Sequence, residues 1–298
     1  MYLNNPSEII GILERTLNYV DSRLIDHGRR VADTVYKIIS RQKKYTENQI
    51  RDICVLALIH DIGAYKTEDI DNMTEFEVSK VWEHAIYGYL FVKNFSPIKN
   101  MAPVLLFHHA KLDDLEYIHP SYREIIQLIR AADHIDLLAR SGQTDIELYR
   151  KSVEAISSSY ITSLIFEQSD FTIEDFIKDK GYEYSTFLYH CDFSDQEIDD
   201  YIKMIILSID FRSPQTLSHT MVTAEMSLML GRLMGCGEQE LNKIRTAAVF
   251  HDIGKVGIPV SILENTGRLS EEEMAVMKTH VAIGEMIIDK AVKQETNR

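Results

Sequence analysis

Thr46-Glu47-Asn48-Gln49-Ile50-Arg51-Asp52-Ile53-Cys54-Val55-Leu56-Ala57-Leu58-Ile59-His60-Asp61-Ile62-Gly63 is the stretch on which the reading of this chain turns. Thr46 and Gln49 have the spacing of a capping box, in which a hydroxyl and an amide satisfy each other's free backbone N–H groups at a helix start. Ile53, Leu56, Ala57, Ile59 and His60 follow at spacings of three and four, so one helix face is apolar and leads directly to His60. Adjacent helical residues lie about 100° apart. His60 and Asp61 therefore cannot share one core face, and a helix end aiming both at a pair of metal ions is the economical reading. Asp61 is placed to bridge the two ions.

The same signals recur outward from this segment. Ser194 with Glu197 and Ser270 with Glu273 repeat the capping box, and Ile198, Ile202, Ile205 and Ile206 form another one-faced helical run. Gly235 and Gly237 stop the run that ends at Met234, and Pro97, Pro120, Pro214 and Pro259 fall between periodic segments. Strand signals are scarce, so the expected fold class is all-α.

Composition narrows the function. The 298 residues are 45% hydrophobic and 26% charged, enough for two globular domains. The chain shows no long uncharged apolar run and no signal peptide, so a cytoplasmic protein without a membrane partner is expected. Cys54, Cys191 and Cys236 are too scattered for a disulfide framework or a thiolate zinc site. A formal charge of −14 disfavours long nucleic acid, whose binding depends on Lys and Arg neutralising phosphates. Small phosphorylated ligands stay open, because a bound dication supplies positive charge locally. A homodimer is left open.

An internal repeat organises the chain. His27 precedes His60-Asp61-Ile62-Gly63 at nearly the interval by which His219 precedes His251-Asp252-Ile253-Gly254, and a third histidine follows each block, His84 and His280. The domains expected are 1–180 and 190–298, with Glu167–Asp192 as the junction. In the first copy the candidate ligands are His27, His60, Asp61, His84, His108, His109 and Asp133, about one ligand group per helix-plus-connection. Imidazoles and carboxylates without thiolates suit Mn, Fe, Co, Ni or Zn in a hydrolytic site. His119, His134 and His190 have no counterparts in the repeat and are expected to be solvated.

These motifs resemble the HD superfamily of metal-dependent phosphohydrolases. His251 through Pro259, continued by Gly267-Arg268-Leu269-Ser270 and His280, is similar to the signature of its HD-GYP branch. His108-His109-Ala110-Lys111-Leu112-Asp113 with Tyr117 resembles an eroded form of that branch's later motif, and Ala132-Asp133 its late aspartate. The resemblance implies a helical HD-domain bundle in two tandem copies, the second truncated. It also implies two divalent ions, Mn, Fe or another first-row metal. One would be held by His27, His60, Asp61 and Asp133, the other by Asp61, His84, His108 and His109. Between them a bridging water would be acidified to attack a phosphodiester. The substrate implied is a cyclic dinucleotide. The alternatives are hydrolysis of a nucleotide phosphomonoester or pyrophosphate, and a regulatory domain that binds nucleotide or metal without turnover.

Four departures qualify that pattern. The lysine after the HDIG block, a catalytic candidate at Lys255, is Ala64 in the first copy, where Lys111 or Arg30 is the candidate replacement. A third-metal glutamate would fall on Arg23 and Gln215, so two ions at most are expected. The GYP element is reduced to Glu116-Tyr117-Ile118. In the second copy His219, His251, Asp252 and His280 have no doubled histidine or late aspartate to join them. That half is expected to be inactive by itself and to leave Ile283, Met286, Ile287 and Ile288 partly uncovered.

Overall fold

The computed structural model describes residues 6–19, 25–66, 81–169, 174, 182–211 and 219–293, and the described elements are all helical. Arg23, Pro214 and Gln215, and most of the stretch from 170 to 181, lie outside them. No described helix is long and apolar enough to cross a membrane. The chain forms two compact units. The central unit comprises Arg23–Asn94 and Ile98–Cys191; the composite unit comprises Met1–Ser22, Phe95–Pro97 and Asp192–Arg298.

Helix α1 (Pro6–Asn18) belongs to the composite unit. The central unit contains α2 (His27–Ile39), α3 (Glu47–Leu58), α4 (Val81–Phe95, whose last residue is assigned to the other unit), α5 (Ala102–Phe107), α6 (Pro120–Arg140), α7 (Ile146–Glu154), α8 (Ser159–Phe166) and α9 (Glu183–His190). A 3-10 turn at Ile62–Lys66 follows α3. The Thr46–Gln49 capping box forms as read, with the Gln49 N–H donating to Thr46 Oγ1 at 3.3 Å and the Thr46 N–H to Gln49 Oε1 at 2.9 Å. Helix α2 packs between α3 and α6, and α9 lies on α2 and α3. Val31, Val35, Ile53, Leu56, Ile126 and Ile129 are fully buried there. Each such side chain contributes roughly 1.5–3 kcal/mol by leaving water.

In the composite unit α10 (Asp195–Asp210), α11 (His219–Leu233), α12 (Glu238–Phe250), α13 (Val260–Leu263) and α14 (Glu271–Lys293) follow in order, with a 3-10 turn at Ile253–Gly257 after α12. Both further capping boxes form, at Ser194–Glu197 and Ser270–Glu273. Gly235 takes a left-handed φ of 79° just past α11, as its helix-stop reading requires.

The assignment of α1 corrects the expected 1–180 boundary. Helix α1 packs on α14, α10 and the turn after α12. Its apolar stripe, Ile9, Ile10, Leu13 and Leu17, is buried, and Arg15 Nε donates to the Ile287 carbonyl. Hence Ile287 is fully buried, contrary to expectation, while Met286 is 44% exposed.

One local geometry appears in both units. A Cβ on Gly63 would stand 2.5 Å from the Gly88 nitrogen, and nearer still to the His84 carbonyl oxygen. A Cβ on Gly254 would stand 2.5 Å from the Gly284 nitrogen, and nearer still to the His280 carbonyl oxygen. The glycine of each HDIG block is thus the point where the backbone of a later helix crosses, α4 at Gly63 and α14 at Gly254, and a residue without Cβ is required there.

Candidate metal centre

In the central unit, α2 supplies His27 at its first position, the end of α3 supplies His60 and Asp61, α4 supplies His84, the end of α5 supplies His108 and His109, and α6 supplies Asp133. Asp26, just before His27, has φ 55°, a left-handed conformation that Asp tolerates and that sets the entry to α2. All seven side chains come together, in two groups of donor atoms: Asp61, His84, His108 and His109, and His27, His60 and Asp133.

The Asp61 carboxylate connects the groups. Its Oδ2 lies 3.5 Å from His27 Nε2 and 3.3 Å from His60 Nε2. Its Oδ1 lies 3.4 Å from His84 Nε2 and 3.7 Å from His108 Nε2. Asp133 Oδ1 is 3.4 Å from His27 Nε2. Within the group that contains His84, its Nε2 is 3.3 Å from His108 Nε2 and 3.1 Å from His109 Nε2.

The outer ring nitrogens explain the orientation. His60 Nδ1 is 2.8 Å from the Ala57 carbonyl, and His108 Nδ1 is hydrogen-bonded to the Leu105 carbonyl. A carbonyl only accepts, so each Nδ1 carries the proton and each Nε2 turns a lone pair inward. His27 Nδ1 is 2.7 Å from Asp136 Oδ2, and Asp136 also accepts from Arg30 Nε and, at 3.2 Å, from Arg30 Nη2.

Burial pushes His60 and His84 down to about 4 and His109 well below the usual range, so these rings are neutral at pH 7 and free to coordinate. Burial alone would lower His27 too, but its hydrogen bonds to Asp136 and Asp61 and the charges of Asp136 and Asp133 raise it to about 10. Burial would raise Asp61, yet His60, His108 and His27 hold it well below the carboxylate range. Asp133 is raised to about 6, by burial and by the charge of Asp61.

Divalent ions fit this donor set. Asp61 Oδ1 is buried and has no hydrogen-bond partner among the described residues. Facing lone pairs on neighbouring Nε2 atoms repel one another unless a proton or a cation lies between them. The ligands are imidazoles and carboxylates, suited to Mn, Fe, Co, Ni or Zn.

The cation candidates divide. Lys111 is exposed, just after the His109 loop. Arg30 is engaged with Asp136, which removes it as the replacement for the missing lysine. Ala64 is 1% exposed. Sequence reading did not single out Asp136 or Arg130, although Arg130, Asp133 and Asp136 recur every three residues along α6. His119 and His190 are exposed as expected, His119 accepting from the Ser121 N–H to cap α6. His134 is instead half-buried, and burial and the charge of Arg130 lower it to about 4.

The composite unit gathers fewer donors. His219, His251 and Asp252 converge, with His219 Nε2 3.3 Å from His251 Nε2 and His251 Nε2 3.0 Å from Asp252 Oδ2. His280 Nε2 lies 3.7 Å from Asp252 Oδ1, and Lys255 Nζ 2.6 Å from Asp252 Oδ2. His219 and His251 are exposed, unlike their buried counterparts His27 and His60. A cavity of about 370 Å³ opens beside His251, lined by Ala247, Phe250, Val281, Gly284 and Ile288.

The helical fold matches that of a solved phosphodiesterase, and residues 216–296 match the HD domain family. Over 291 residues the chain is 23% identical to the 3′3′-cGAMP-specific phosphodiesterase 1 of Vibrio cholerae, a match that covers 90% of this chain and 67% of that protein. Over 134 residues it is 31% identical to a cyclic di-GMP phosphodiesterase of Thermotoga maritima, covering 45% of this chain and 33% of that protein. The crystal structure of the cyclic GMP-AMP-specific phosphodiesterase V-cGAP3 of V. cholerae superposes with a TM-score of 0.62 at 17% identity, over 95% of this chain and 78% of that one.

Proposed function

We propose that the chain is a metal-dependent phosphodiesterase that opens a cyclic dinucleotide, and that the seven-residue centre of the central unit is where it does so. The observation that carries this reading is the Asp61 carboxylate, one oxygen toward His27 and His60 and the other toward His84 and His108. In this reading His27, His60, Asp61 and Asp133 hold one ion, and Asp61, His84, His108 and His109 hold its neighbour. When bound, such a pair supplies Lewis acidity to the phosphate and lowers the pKa of a water shared between the ions. The protein's part is to fix the two positions. Carbonyl-anchored His60 and His108 hold their rings in place, and Asp136 does the same for His27. Hydrolysis adds water across one P–O bond, leaving a phosphate ester on one nucleoside and a hydroxyl on the other.

The two units are read as tandem HD copies. The composite unit's four donors suit a single ion at most and are not assigned turnover. The substrate proposal draws on the cyclic dinucleotides named for the V. cholerae and T. maritima relatives. The test is a substrate screen on Mn-loaded protein with 3′3′-cyclic GMP-AMP, cyclic di-GMP, dNTPs and guanosine polyphosphates. Turnover of a cyclic dinucleotide to a linear one supports the reading. Turnover of only the monoesters or polyphosphates replaces it with the phosphomonoester or pyrophosphate alternative, and no turnover with full metal loading favours the regulatory one.

A further inference from the structure

Helix α6 carries Arg130, Asp133 and Asp136 at intervals of three, so the three side chains follow one stripe of the helix. Asp136 holds His27 at one end of the stripe, and Asp133 faces His27 Nε2 in the middle. At the other end Arg130 Nη1 donates to the carbonyl of Ala110, the residue after His109. Its guanidinium therefore lies on the loop that directly follows His109. It is only half-exposed, and its Nε is buried without a hydrogen-bond partner among the described residues. One N–H on Ala110 is enough to brace the loop. The rest of a five-donor planar fork is more than that task needs.

A cation beside the metal ions would strengthen the binding of a phosphodiester at this centre, and the position three residues after Asp61 does not provide one. In the composite unit Lys255 stands three residues after Asp252, with its ammonium on that carboxylate. The corresponding residue of the central unit is Ala64, buried and uncharged. Arg30 is taken up by Asp136, and Lys111 is exposed. Of the cations considered, Arg130 is left, about one helical turn before Asp133 and bonded to the carbonyl after His109.

Resting on the phosphodiesterase reading, we infer that Arg130 is the substrate-phosphate contact of the first centre. Its guanidinium donates to a non-bridging oxygen of the scissile phosphodiester, supplying from α6 the charge that a lysine at position 64 would have supplied from the turn after α3. Guanidinium suits this role because its fork matches the geometry of two phosphate oxygens.

The test uses the full chain loaded with Mn, as wild type, Arg130→Gln and Arg130→Lys. Metal content and thermal melting are measured for each. Two ligands are then compared: inorganic phosphate by calorimetric titration, and 3′3′-cyclic GMP-AMP by steady-state kinetics. The expected result is that Arg130→Gln keeps its metal and its melting temperature. Its phosphate Kd and its KM should rise roughly 10- to 100-fold, the value of a charged hydrogen bond, with a smaller change in kcat. Arg130→Lys, which keeps the charge but not the fork, should recover part of the phosphate affinity, which a mere brace for the His109 loop would not predict. An unchanged phosphate Kd in metal-loaded Arg130→Gln overturns the inference, as does a wild-type chain that holds metal and binds no phosphate. A wild-type chain that binds phosphate but opens no cyclic dinucleotide overturns the substrate reading instead, and the titration still decides the role of Arg130.

Discussion

Replacing Gly63 with alanine adds one methyl group at the crossing of the α3–α4 turn with α4. That methyl would stand 2.5 Å from the Gly88 nitrogen, and closer to the His84 carbonyl oxygen. Both obstacles are backbone, so no side chain can swing aside. Ordinary carbon contacts need about 3.5 Å, and α4 must therefore retreat by at least about 1 Å or the turn must distort. Overpacking of this kind typically costs about 1–3 kcal/mol, which lowers the melting temperature of a domain this size by roughly 2–12 °C. The centre should suffer more than the fold. His84 Nε2 sits only 3.1–3.3 Å from the Nε2 atoms of His108 and His109, and a displacement of about 1 Å at a reacting centre can cost about 100-fold in rate. Scanning calorimetry, metal analysis and hydrolysis assays on the Gly63→Ala chain test this. A variant that melts like wild type, or melts lower yet keeps full metal content and turnover, would show that the close approach does not position His84.

Further predictions follow from the same contacts. Asp61→Ala should lose both ions and His27→Ala only one, so metal analysis should separate the two and residual activity should be lower for Asp61→Ala; equal values would deny the bridging carboxylate. Asp136→Asn keeps the shape and removes the charge that holds His27, and should weaken metal binding by roughly tenfold or more, read by chelator competition. Leu13→Ala leaves a cavity in the composite unit, at a cost of about 2–5 kcal/mol. It should lower that unit's melting transition and leave the metal content of the first centre unchanged. A parallel loss of metal would contradict the assignment of α1 to the composite unit.

The HDIG repeat and the spacing of the histidines made most of this centre legible, because His27, His60, Asp61, His108 and His109 sit at helix ends, which are marked by local chemistry, whereas Asp133 lies in mid-helix. Capping residues such as Thr46 and Ser194 announce themselves within four residues. The contacts that escaped are those between segments distant in sequence. Helix α1 is an ordinary amphipathic run, and nothing local says that its stripe will cover Ile287 rather than α2. Arg130 and Asp136 belong to the same stripe as Asp133, and the interval of three was there to be read. Their roles depend on partners, Ala110 and His27, that only the tertiary packing of α6 supplies. His134 looked solvated because it has no repeat counterpart, but its burial is set by the neighbours of α6 and not by the repeat.

The central claim is that hydrolysis belongs to the centre bridged by Asp61, and its most direct test compares two single variants. Asp61→Ala and Asp252→Ala remove the equivalent carboxylate from one unit each. The formation of linear dinucleotide from 3′3′-cyclic GMP-AMP is then followed by mass spectrometry on Mn-loaded protein. The account predicts that Asp61→Ala abolishes product formation and that Asp252→Ala leaves it near the wild-type rate. Product lost in Asp252→Ala and retained in Asp61→Ala would contradict it.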